Sequence, residues 1–127
     1  LREMAILQVG YCARSPYEWS HHVKIGFDFG VSEPDIRALI DDSEGRPTSL
    51  DPLTKAVLKA ARELANEIKL SDETFAVLKQ HLDTPRLLDL FIAITGYCGT
   101  VRLLAALQID VEDEYKVYLE RFPLPRV

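Results

Sequence analysis

Glu18 and His22 are the pair in this sequence whose types and spacing could do chemistry. On a helix, residues four apart share a face and can touch. A carboxylate beside an imidazole holds the ring in one tautomer and raises its pKa, which is how a general base is prepared. The pair follows Ser15-Pro16, a helix start, where the positive end of the dipole opposes imidazolium and favours anions. An anionic substrate group fits there. His21 is turned about a hundred degrees away and is expected on the surface. A plainer reading also accounts for Glu18. With Ser15 as N-cap and Pro16 at N1, Glu18 falls at N3 of a capping box, where its carboxylate would only hold the Ser15 backbone N–H.

The other candidates divide in the same way. Glu3 opens a helix with an apolar interior (Ala5, Ile6, Leu7, Val9) and is either a buried acid or a solvated first-turn charge. Tyr17 and Trp19 could line a pocket, although Trp19, Val23 and Phe27 make a core stripe. Tyr97 and Thr100 lie on an apolar glycine-containing helix and could face the same cavity. His81 is expected on an exposed helix face. Cys12 and Cys98 show neither C-x-x-C nor metal-ligand spacing, so they are expected to be reduced, partly buried thiols of a cytoplasmic protein, with no metal and no cofactor.

Positioning these groups requires a folded domain, and 127 residues with 47% hydrophobic and 28% charged side chains suit one. A net charge of -5 without a basic cluster argues against nucleic acid as a partner. The longest uncharged stretch, residues 90–101, is shorter than the roughly 18 that a membrane span needs, so no membrane partner is expected. The chain begins at Leu1 inside a helical pattern, which suggests that a segment precedes it.

The elements read as helices throughout, about six of them, giving an all-α fold. Helix starts are marked at Ser15-Pro16, Ser32-Glu33-Pro34-Asp35, Asp51-Pro52, Ser71-Asp72-Glu73 and Thr84-Pro85. Leu53, Val57, Ala60, Leu64 and Ile68 form one apolar stripe, and Phe75, Leu78 and Leu82 another. Residues 85 to about 108 are apolar nearly all round, which predicts a helix buried among others, with Gly96 and Gly99 allowing close approach. Gly30 reads as a helix end, residues 41–50 as the main loop, and residues 121–125 as an extended tail. No stretch alternates with a strand's period.

The run Leu1-Arg2-Glu3-Met4-Ala5-Ile6-Leu7, then Tyr17-Glu18-Trp19 with His22, then Gly30-Val31-Ser32 and Ile36, resembles the core of the carboxymuconolactone decarboxylase and alkylhydroperoxidase-D-like superfamily. The hydroperoxidase relatives carry a glutamate, then C-x-x-C at a helix start, then a histidine four residues after the second cysteine. By spacing these positions fall on Glu3, Ser15, Glu18 and His22, so both thiols are replaced. Thiol peroxidase chemistry needs an activated thiolate and a resolving thiol, which serine and glutamate cannot supply. The resemblance therefore implies the decarboxylase side: a cofactor-independent reaction on a small lactone or carboxylate. In it Glu18 orients and charges His22, His22 moves the proton, and Glu3 is a second carboxylate. It also implies a homo-oligomer, trimer or hexamer, with the site near a subunit boundary. Two other readings stay open: a non-enzymatic oligomeric scaffold whose Glu18 is only a helix cap, and a divergent hydroperoxidase using Cys12.

Overall fold

Residues 4–11 are buried without a break, so the first helix, α1 (Arg2–Cys12), has no solvent face and must be wrapped by others. In the computed structural model, which describes residues 1–126, α1 is the central helix of an all-α fold. Around it run α2 (Pro16–Asp28), α3 (Glu33–Ser43), α4 (Pro52–Glu67), α5 (Asp72–His81), α6 (Thr84–Ala106), a 3-10 turn (Asp113–Tyr115) and α7 (Lys116–Arg121). The core has two lobes on either side of α1. Ala5 and Val9 face α4, α5 and α6, packing with Val57, Ala60, Leu78, Leu90 and Ile94. Met4, Leu7 and Tyr11 face α2, α3 and the chain end, packing with Trp19, Val23, Ile36, Leu39 and Phe122. The stripe of Trp19, Val23 and Phe27 is therefore core: the first two are fully buried and Phe27 packs against them.

Gln8, the one fully buried polar side chain of α1, is satisfied by a network invisible in the sequence. Its amide donates to Ser43 Oγ at 2.9 Å, and Arg62 donates to its Oε1 at 3.0 Å while pairing with Asp42 at 2.9 Å. Burying an amide without such partners would cost about 1–3 kcal/mol.

Four expectations are corrected. The N-cap of α6 is Asp83, which accepts from the Arg86 N–H at 3.1 Å, so Thr84 and Pro85 are its first two residues. Ile68 does not continue the α4 stripe. It ends the helix in the left-handed region at φ 72° and is 87% exposed. α3 runs to Ser43, which leaves less of residues 41–50 as loop. Most importantly, α6 is covered on one side only. Leu87, Leu90, Ile94 and Val101 are buried, whereas Leu88, Ile92, Leu103 and Leu107 are exposed, and a Cβ built at Gly96 or Gly99 meets nothing within 4 Å. By length and composition α6 would also suit a membrane, a test that core helices of folded domains pass as well.

Gly30, at φ 94°, closes α2 in the conformation that only glycine adopts without strain. Beyond α7 the chain end returns to α2. Phe122 is fully buried and its carbonyl accepts from Trp19 Nε1–H at 2.8 Å.

Candidate active site

α1 and α2 form a hairpin joined by residues 13–15, with Arg14 in the left-handed region at φ 49°. Gly10 lies where the two helices meet: a Cβ there would make ordinary contact, 3.4 Å from the Trp19 backbone nitrogen and 3.6 Å from Glu18 Cβ. The start of α1 is thereby laid beside the second turn of α2, and Glu3 meets His22.

Both nitrogens of His22 face carboxylates. Nδ1 lies 3.0 Å from Glu3 Oε2 in an aligned hydrogen bond, and Nε2 lies 3.1 Å from Glu18 Oε2. His22 and Glu18 are 7% and 6% exposed, so the cluster is shielded from water on most sides. The Nε2 contact is close but lacks hydrogen-bond alignment, which leaves Glu18 Oε2 as a buried carboxylate oxygen with no donor among the described residues. Such an atom in a folded protein calls for an explanation.

The capping box anticipated at Ser15 is half formed. Ser15 Oγ accepts from the Glu18 N–H at 3.5 Å, but the Ser15 N–H donates to the Gly10 carbonyl at 3.0 Å. The Glu18 carboxylate is thus free of capping duty and turned toward His22. At Ser32 and Asp35 the reciprocal box does form.

Burial alone would depress the His22 pKa. The Glu18 and Glu3 carboxylates outweigh burial and raise it above the ordinary value of 6.5. With the ring charged, the three groups carry one net negative charge in a poorly hydrated place. The acids occupy opposite ring nitrogens and so do not converge on one point, and no group of three ligands among the described residues could hold a metal ion.

Beside this cluster lies a cleft of about 670 Å³ lined by Arg2, Asp89, Ile92, Gly96, Tyr97 and Thr100, among others. The three cluster residues do not line it. Tyr97 joins the two places: it lines the cleft and packs edge-on against the His22 ring, centroids 5.0 Å apart at 84°. Tyr97 and Thr100, expected to face the cavity of Glu18 and His22, line a cleft that those residues do not share. Arg2 and Asp89 were not singled out, although a lone acid in a long apolar helix was the available signal for Asp89.

His21 is more than a surface residue. It is stacked between Tyr17 and Tyr115, at centroid distances of 4.1 and 3.8 Å, and its Nε2 lies 2.7 Å from Glu112 Oε2. It ties the 3-10 turn to the outer side of α2. Cys12 and Cys98 are both free and partly buried, and burial raises the pKa of each thiol, which disfavours the thiolate. His81 is exposed.

No protein-family model, curated protein or solved structure matches this chain.

Proposed function

We propose that this chain is a carboxymuconolactone decarboxylase-like enzyme that works without a cofactor, moving a proton to or from carbon on a small lactone or carboxylate. One observation carries the reading: a buried imidazole with a carboxylate at each ring nitrogen, beside a cleft. Glu3 accepts the Nδ1–H and fixes Nε2 as the nitrogen that exchanges its proton. The raised pKa favours the charged ring, so His22 begins as the acid. In a decarboxylation, the bond between carbon and the departing carboxylate breaks and its electron pair moves into conjugation with the lactone carbonyl. Carbon dioxide leaves, and His22 delivers its proton to that carbon. A proton from solvent then recharges Nε2, relayed by Glu18, whose Oε2 lies 3.1 Å away and lacks an aligned donor. The two acids thus exchange the roles that spacing suggested, with Glu3 as the orienting group. Tyr97, which lines the cleft and packs on the imidazole, is the side chain between the two.

The test is His22→Gln, assayed on small lactone carboxylates. Turnover should vanish while helicity and assembly state stay unchanged, and undiminished turnover discards the assignment.

The outer side of α6 supports the homo-oligomer, trimer or hexamer, that the resemblance implies. At about 1.5 Å per residue this helix runs about 35 Å, and three large apolar side chains along it, with Leu107 at its C-cap, are exposed. Apolar exposure on one helix face favours an interaction surface. Two unpaired cysteines support a reducing compartment, the cytoplasm.

A further inference from the structure

We infer that Arg2 and Asp89, on the walls contributed by α1 and α6, are the specificity-determining residues of the cleft beside His22, and that they select a small hydroxy acid. The ligand's carboxylate pairs with Arg2 and its hydroxyl donates to Asp89. The inference deepens the reading of His22 as a proton-transfer centre and rests on it for the chemistry, though not for the binding.

Three observations support it. First, Arg2 and Asp89 both line the 670 Å³ cleft and also a smaller hollow of about 210 Å³ next to it, to which Arg86 contributes. The smaller hollow holds two arginines against one aspartate and the cleft itself one of each, so an anion is drawn to the Arg2 end. Second, none of the three is in an ion pair among the described residues, whereas Arg37, Arg46, Arg62 and Arg121 each are. Arg2 therefore keeps its planar donor fork available for bidentate contact with a carboxylate. Third, the α6 wall between them is open to a ligand. Gly96 presents no side chain, a Cβ there would meet nothing within 4 Å, and Thr100 Oγ1 is spent on the Gly96 carbonyl at 3.0 Å. Tyr97 on the same wall touches His22, so a ligand held at Arg2 and Asp89 lies one aromatic ring away from the imidazole.

Asp89 sets the polarity of the other end. Its carboxylate repels a second anionic group and accepts from a hydroxyl, so a hydroxy acid is favoured over a dicarboxylate. A hydroxy acid is also the open form of a lactone, which connects this seat to the chemistry assigned to His22.

The test uses three probes of matched length: 4-hydroxybutanoate, butanoate and butane-1,4-diol. Binding is read from amide shifts of Gly96, Tyr97 and Thr100 in the intact protein. The expected result is saturable binding of 4-hydroxybutanoate ahead of both others. Arg2→Ala should weaken that binding about tenfold or more, the usual effect of losing a charge-assisted pair. Asp89→Asn should abolish its advantage over butanoate. Both sites are exposed, and an unchanged melting temperature separates lost binding from lost fold. Equal affinity in Arg2→Ala, or no saturable shift with any probe, overturns the inference. So does binding lost in His22→Gln but kept in Arg2→Ala, since the seat would then be the imidazole. Arg2-dependent binding without turnover of any lactone would retain the seat and discard the proposed reaction, so the two failures are distinguishable.

Discussion

His22 Nδ1 stands 3.0 Å from Glu3 Oε2, a contact that joins the second turn of α2 to the first turn of α1. The contact depends on the pairing of these two helices, so disturbing the pairing and disturbing the groups should have separable effects.

The pairing is tested at Gly10. Alanine there would find ordinary contact, its Cβ 3.4 Å from Trp19 N, and gains helix propensity of up to about 1 kcal/mol. Gly10→Ala should therefore melt at or slightly above the parent temperature. Gly10→Val adds two methyls against α2 and should lose about 1–3 kcal/mol. It should also weaken the Glu3–His22 contact, visible in the His22 ring resonances.

The His22 pKa carries a stability signature of definite sign. Because the folded value is raised above 6.5, the carboxylate contacts add stability that is fully present below the unfolded pKa. That stability is lost as pH rises through the folded value. The melting-temperature gap between the parent and His22→Gln should be widest on the acid side of 6.5 and narrow as pH climbs past it. A gap that widens with pH would contradict the assigned cluster.

Ile68 offers a gain. A β-branched residue in the left-handed region costs about 1–2 kcal/mol, and at 87% exposure its side chain returns almost nothing by burial. Ile68→Gly should raise the melting temperature by a few degrees, measured by thermal denaturation.

Assembly through α6 is tested at residues that do not line the cleft. Leu88→Glu with Leu103→Glu should shift the protein to a smaller species in light scattering without loss of helicity. An unchanged mass would leave the surface for another partner, a membrane included.

How far these features were legible depended on whether the information was local. Ser32, Asp51 and Ser71 act through residues three positions on, and each accepts the backbone N–H there. The i,i+4 meeting of Glu18 and His22 is equally local. The Glu3 contact crosses two helices, and only the resemblance pointed to it. At Ser15 a local rule failed because the Gly10 carbonyl competed for its N–H. The one-sided covering of α6 could not be read either, since an all-round apolar helix looks the same whether neighbours come from its own chain or another. The Gln8 network and the His21 stack also depend on residues distant in sequence, Ser43 and Arg62 for one, Tyr115 and Glu112 for the other.

The chain contains a single tryptophan, and its indole N–H is held by the carbonyl of Phe122. Fluorescence from this one indole, excited selectively over the five tyrosines, therefore reports whether the C-terminal segment is seated, with no label attached. A red shift that precedes loss of the helical signal on mild denaturation would time the release of that segment. The same emission checks each site variant for an intact α2 before any loss of turnover is attributed to chemistry.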